Sequence, residues 1–122
     1  MGYLDTFELV SAREKPFITL RDRSITFSKT AIEMLDFTPY IHMYIDKKGR
    51  KVAFQKSEFD ADTISFYKKA KTDSHVFVRI SDKAKAELLW ELIGKKGSEK
   101  GIRIYGDFIK NENLIGFDLS SI

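Results

Sequence analysis

Two similar stretches of the sequence decide the fold: Ile25-Thr26-Phe27-Ser28-Lys29-Thr30-Ala31 and Val78-Arg79-Ile80-Ser81-Asp82-Lys83-Ala84. In each stretch, apolar and polar residues alternate as in a half-buried strand, and a serine follows directly. A serine hydroxyl in that position accepts a hydrogen bond from the free amides of a helix's first turn. Both stretches therefore predict a strand that leads into a capped helix, and we expect the helices over 29–36 and 82–93.

Each predicted helix is followed by a hairpin. The first hairpin has strands over 40–46 and 51–55, with Gly49 in the turn between them, and the second has strands over 102–109 and 114–119. Because both hairpins alternate between apolar and polar residues, we expect the two strands of each to pair antiparallel.

The order β-α-β-β thus occurs twice along the chain. Each unit has an apolar face that it cannot cover alone, and packing two units together buries both faces. The sequence predicts an α+β fold of mostly antiparallel sheet, in which two β-α-β-β units form a single-chain pseudo-dimer. The predicted single domain spans 1–122, with pseudo-repeats over about 17–55 and 75–120 and a connector over 56–74.

The composition limits the classes of function. The chain has 122 residues, no cysteine and a formal net charge of +3. The lack of cysteine excludes disulfides, thiol catalysis and cysteine-ligated zinc, and it fits a reducing cytosol. No apolar run approaches the roughly 20 residues that span a bilayer. We therefore expect a cytoplasmic protein with no membrane association, whose mild positive charge permits nucleic-acid binding.

The residues that can carry chemistry do not form a catalytic or metal-binding motif. His42 and His75 each lie in a predicted strand, with no acidic residue at ligand spacing. The acidic cluster of Glu58, Asp60 and Asp62 lacks the glycine and the distal glutamate of a calcium loop. The sequence therefore predicts a non-catalytic protein without a metal ion or cofactor.

Basic residues and tyrosines cluster in and around the first unit. Cations bind phosphates, and nearby aromatic rings stack on bases. Lysines at turns also serve as solubility and edge-protecting residues, so this pattern alone does not decide between the two roles. The predicted nucleic-acid-binding residues are Arg21, Arg23, Lys47, Lys48, Arg50, Lys51, Tyr40 and Tyr44.

One run of the first unit also carries a family resemblance. It reads Ser24-Ile25-Thr26-Phe27-Ser28-Lys29-Thr30-Ala31-Ile32-Glu33-Met34-Leu35, then Phe37-Thr38-Pro39, then Tyr40-Ile41-His42-Met43-Tyr44-Ile45-Asp46-Lys47-Lys48-Gly49-Arg50-Lys51-Val52-Ala53. This run resembles the SpoVT/AbrB family of bacterial swapped-hairpin DNA-binding domains, whose members pair two such units into one DNA-binding body. The resemblance implies an AbrB-like regulator whose second unit comes from 76–119. The chain also resembles small Firmicute phage proteins of unknown role.

Two further classes of function stay open. The chain can be a protein–protein interaction module, such as an inhibitor of a host factor from a phage or mobile element. In that case the aromatic residues Tyr40, Tyr44, Phe66 and Tyr67 would contact the partner. The third class is an enzyme with an unrecognised site.

Overall fold

The computed structural model describes residues 2–7, 14–68 and 77–122, which form two antiparallel sheets and two α-helices. The elements, in chain order, are a 3₁₀ turn at Tyr3–Thr6, β1 (Phe17–Leu20), β2 (Ile25–Phe27), α1 (Lys29–Met34), β3 (Tyr40–Asp46), β4 (Lys51–Lys56), β5 (Ile64–Ser65), β6 (Val78–Ile80), α2 (Lys83–Ile93), β7 (Ile102–Tyr105), β8 (Asp107–Ile109), a 3₁₀ turn at Lys110–Glu112, and β9 (Leu114–Asp118).

The four-stranded sheet has the strand order β6-β2-β1-β7, and the five-stranded sheet has the order β5-β3-β4-β9-β8. The predicted hairpin of β3 and β4 is confirmed, with Tyr44 opposite Ala53. The two sheets pack face to face. The ring of Phe27 on β2 lies 4.8 Å from the ring of Phe54 on β4, in an edge-to-face arrangement that aromatic pairs favour.

One core lies between the sheets, and strand alternation explains its composition. Every second residue of β1, β2 and β6 is buried, because successive side chains of a strand point to opposite faces. The largest fully buried side chains come from both sheets and from α1 and α2; they include Phe27, Phe54, Phe117, Ile18, Leu20, Ile25, Ile32 and Leu89.

The two helix starts differ from each other. Ser28 caps α1 as predicted, and its hydroxyl oxygen accepts a hydrogen bond from the amide of Ala31. The cap of α2 is Asp82 rather than the predicted Ser81, because the Asp82 carboxylate accepts from the amide of Lys85. A carboxylate at this position satisfies a free amide and also complements the positive end of the helix dipole.

The prediction of one continuous strand over 102–109 is wrong. This stretch breaks at Gly106 into β7, which pairs with β1, and β8, which pairs with β9 in the other sheet. A Cβ atom at Gly106 would lie 2.6 Å from a ring carbon of Phe117, so only glycine lets the chain pass so close to that ring.

The predicted pseudo-dimer receives mixed support. Three antiparallel strand pairs join the predicted units: β1 with β7, β2 with β6, and β4 with β9. Yet the four-stranded sheet is not symmetric about the β2–β6 pair, because β1 and β7 both lie on the β2 side. The helices also differ in length, since α2 has 11 residues and α1 has 6. The α+β class is therefore confirmed, whereas the pseudo-dimer stays a prediction.

Candidate nucleic-acid interface

The outer face of the four-stranded sheet differs in chemistry from the inner face. The inner residues are apolar and buried. Successive side chains of a strand point to opposite faces, so the residues between the buried ones point outward. All of these outer residues are half-buried or exposed: Phe17, Thr19, Thr26, Arg79, Arg103 and Tyr105.

The strand register aligns four of these outer residues in one row. Arg79 lies opposite Thr26, Thr26 opposite Thr19, and Thr19 opposite Arg103. With neighbouring strands about 4.8 Å apart, the two arginines stand at the ends of a row about 14 Å long. At that separation, salt screens most of their mutual repulsion.

A third arginine reaches the same face from the end of β1. Nη1 of Arg21 lies 3.5 Å from the hydroxyl oxygen of Thr26, in the middle of the row. The backbone of Arg21 is fixed on two sides. Its amide donates to the carbonyl oxygen of Ser24, and its carbonyl oxygen accepts from the indole nitrogen of Trp90 at 2.9 Å.

Aromatic rings border the row. The rings of Phe17 and Tyr105 lie 5.5 Å apart, and the guanidinium carbon of Arg103 sits 4.1 Å from the Phe17 ring centre, as in a cation–π contact. Tyr105 is 54% exposed. Phe77 is 60% exposed and lies two residues before Arg79, so it shares the outward side of that strand.

We call this surface the arginine face. Its three positive charges are those of its arginines, and it consists of Phe17, Thr19, Arg21, Thr26, Phe77, Arg79, Arg103 and Tyr105. Within the described ranges, no carboxylate oxygen lies within 4.0 Å of the nitrogens of its three arginines. Glu14 and Lys15 border the face beside Phe17.

The other predicted basic residues lie elsewhere. Lys47 and Lys48 are exposed in the turn between β3 and β4. Lys51 begins β4, opposite Asp46 on one side and Asp118 on the other. Of these three lysines, Lys51 is the one that lies opposite carboxylates in the strand register.

Arg23 lies apart from the arginine face, in a cleft of mixed charge. It is exposed in the turn between β1 and β2 and lines a cleft of about 640 Å³. The cleft mixes both charges, since its lining also includes the cations of Lys83, Lys95 and Lys96 and the carboxylates of Asp22, Glu87 and Glu91.

Arg50 is committed to the fold. Its Nε donates to the carbonyl oxygen of Leu92 at 2.6 Å, and its Nη2 donates to that of Ile93 at 2.5 Å. These carbonyl groups belong to the last turn of α2. Carbonyl groups in the last turn of a helix have no hydrogen-bond partner within the helix. The contacts give Arg50 a structural role, as the residue that ties the β3–β4 turn to α2.

The two predicted tyrosines lie on the outer face of the five-stranded sheet. Tyr40 is half-buried, with its ring 5.1 Å from that of Phe59. Tyr44 is 50% exposed, and its hydroxyl lies 3.3 Å from the Oε1 atom of Gln55. The eight predicted residues therefore do not share one surface, since of all of them only Arg21 lies on the arginine face.

His42 has an acidic partner that sequence spacing did not reveal. Its Nε2 lies 2.7 Å from Oδ2 of Asp60 in the loop after β4. The hydrogen bond from His42 holds the pKa of the Asp60 carboxyl below its ordinary value, with help from the amide of Asp62. In the part of the chain that the structure describes, no group of three or more His, Asp or Glu residues could hold a metal ion. His75 lies outside the described residues.

The residues suggested for a protein partner also separate. Phe66 is buried and packs edge-to-face against Phe27 in the core, with 4.9 Å between the rings, so it cannot contact a partner. Tyr67 is half-buried against Phe37. Of the four suggested aromatic residues, Tyr44 is the most exposed.

Comparison with known proteins gives no match, whether with family models, curated proteins or solved structures. The SpoVT/AbrB resemblance therefore stays a prediction, as do the phage origin and the regulator role. Among the helices of the described residues, none is long and apolar enough to cross a membrane.

Sequence reasoning missed Arg79 and Arg103. A signal was present, because each arginine stands between two aliphatic residues of a strand, at a position that must point outward. The alternation does not show that β6 and β7 belong to the same sheet. That information lies in the long-range pairing of both strands with the β1–β2 hairpin.

Proposed function

We propose that this chain is a non-catalytic nucleic-acid-binding protein that holds its ligand on the arginine face. The row Arg79-Thr26-Thr19-Arg103 is the observation that carries the proposal. It presents cations and hydroxyl groups on the outer surface of a four-stranded sheet with bordering aromatic rings. Guanidinium groups bind phosphates through paired hydrogen bonds, and each neutralised phosphate releases counterions.

The grouping of cations on one face supports this surface, because the strand register and the Arg21–Thr26 contact bring three arginines together. The total charge of the chain is only +3, so the location of cations matters more than their number. The cations of the arginine face have no carboxylate neighbours within ion-pair distance among the described residues. Among the same residues, Lys51 also forms no ion pair within that distance, but the register places it opposite Asp46 and Asp118.

Two charge-reversal variants test the proposal. Arg79→Glu with Arg103→Glu changes the arginine face, and Lys47→Glu with Lys48→Glu makes the same change in charge on the exposed turn. Fluorescence anisotropy with a labelled oligonucleotide at low salt measures binding, and circular dichroism checks that both variants fold. We expect the first variant to lose binding and the second to retain most of it. No binding by the unmodified chain at low salt would overturn the proposal.

A groove favours a protein partner as the second candidate function. It has a volume of about 430 Å³ and crosses the outer face of the five-stranded sheet, over Ala53 and Gly116 and between Tyr44 and Ile109. Three aspartates, at 46, 107 and 118, and one lysine, Lys51, line the groove. This excess of negative charge favours a basic segment of a partner.

The groove can be filled without disturbing the fold. A Cβ atom at Gly116 would meet no atom within 4 Å, so Gly116→Ile occupies the groove at little structural cost. If a basic partner docks there, this variant no longer binds it but still binds oligonucleotides. Equal partner binding by Gly116→Ile and the unmodified chain would exclude the groove.

A further inference from the structure

The arginine face is too broad to read a duplex from within a groove. The major groove of B-DNA is about 12 Å wide and admits a helix or a two-stranded ribbon. Four strands side by side build the arginine face, and its row of outer residues alone is about 14 Å long. This surface can lie on a nucleic acid but cannot enter the groove.

The rings of the arginine face are placed where they can receive unpaired bases. Phe77 and Arg79 occupy the β6 edge, and Arg103 and Tyr105 occupy the β7 edge, so each edge pairs one exposed ring with one cation. Phe77 is 60% exposed and Tyr105 is 54% exposed, so both side chains are open to contact with a base. A base can stack on such a ring only when it is not enclosed within a duplex.

The two edges set a length for the ligand. A strand that reaches from the ring at one edge to the ring at the other crosses about 14 Å. Stacked nucleotides rise about 3.4 Å each, so at most about four nucleotides fit between the edges, and fewer fit in an extended strand. Phe17, which pairs with Tyr105, lies beneath this path, and the hydroxyl groups of Thr19 and Thr26 lie in the neighbouring row between Arg79 and Arg103.

We propose that the arginine face binds single-stranded nucleic acid laid across its four strands. Arg79 and Arg103 hold phosphates, and Phe77 and Tyr105 stack on bases at opposite edges. The inference rests on the proposed function and specifies its ligand. The threonine hydroxyls can bond to sugar oxygens, and comparison of RNA with DNA of the same sequence shows whether a 2′-hydroxyl adds to the binding.

The test compares one oligonucleotide sequence as single strand and as duplex, in both RNA and DNA, by fluorescence anisotropy over a range of salt concentrations. We expect the single strand to bind at least tenfold more tightly than the duplex. Phe77→Ala and Tyr105→Ala should each weaken single-strand binding about tenfold, with the salt dependence unchanged, because stacking releases no counterions. Arg79→Ala and Arg103→Ala should each lower the salt slope by about 0.7.

The matched control is Phe59→Ala, which removes a ring that is 74% exposed but packs on Tyr40 of the other sheet. It should leave binding unchanged. Tighter binding to the duplex, or undiminished binding by both ring variants, would overturn this inference while leaving the proposed function intact. Failure of the chain to bind any of the oligonucleotides would overturn the proposed function itself.

Discussion

The indole nitrogen of Trp90 donates a hydrogen bond to the carbonyl oxygen of Arg21, with 2.9 Å between the two atoms. This bond joins α2 to the turn that follows β1, and thus to the edge of the arginine face. Trp90 is only 5% exposed and belongs to the core.

Loss of Trp90 should be costly. Trp90→Ala leaves a large cavity, and we expect it to lower the free energy of unfolding by about 3–5 kcal/mol. Trp90→Phe keeps much of the packing but removes the donor to Arg21 and should therefore cost less. Urea denaturation followed by circular dichroism measures both. An alanine variant with nearly the stability of the unmodified chain would show that Trp90 does not anchor α2.

Arg50 should stabilise the fold without taking part in ligand binding. Arg50→Met leaves the carbonyls of Leu92 and Ile93 without their charged donor, which should cost about 1–3 kcal/mol of unfolding free energy. Lys48→Met, in the same turn but exposed, is the control and should change stability little. A clear loss of oligonucleotide affinity in folded Arg50→Met would instead support the role predicted from the sequence.

The identity of the α2 cap can be tested by two alanine substitutions. Asp82→Ala should cost about 1 kcal/mol, whereas Ser81→Ala should cost little, because Asp82 makes the cap bond. The hydrogen bond from the Lys85 side chain is the main cause that lowers the pKa of Asp82 in the folded chain.

That lowered pKa gives the cap a pH dependence. A carboxyl with a depressed folded pKa stabilises the fold fully above its unfolded value, and the contribution is lost as the pH falls through the folded pKa. The difference in stability between the unmodified chain and Asp82→Ala should therefore be full near neutral pH and shrink below about pH 4. A difference that does not change down to pH 2 would contradict this assignment.

Two glycines of the five-stranded sheet region should respond in opposite ways to substitution. Gly106→Ala places a Cβ atom 2.6 Å from the Phe117 ring and 2.7 Å from the carbonyl oxygen of Gly116, and overpacking of this kind costs about 1–3 kcal/mol. Gly116→Ala meets open space and should be tolerated. Thermal unfolding of both variants measures the contrast, and equal melting temperatures would disprove it.

Local features of the fold could be predicted from the sequence. The hairpin of β3 and β4 follows from alternation, and the Ser28 cap follows from capping chemistry. These features depend on residues close together in the chain, where the pattern of side chains determines the geometry.

Features set by distant parts of the chain could not be predicted. The break at Gly106 depends on the approach of Phe117, and the role of Arg50 depends on where α2 ends. The arginine face forms because β6 and β7 pair on opposite sides of the β1–β2 hairpin. No local pattern around Arg79 or Arg103 contains that pairing.

The location of the ligand is the central claim, and chemical-shift mapping tests it most directly. The ¹⁵N-labelled chain is titrated with a short single-stranded oligonucleotide, and the amide shifts are followed residue by residue. We expect the largest shifts at Thr19, Thr26, Arg79 and Arg103, with Tyr44 and Lys48 nearly unchanged. Shifts confined to the β3–β4 turn or to the outer face of the five-stranded sheet would contradict the claim.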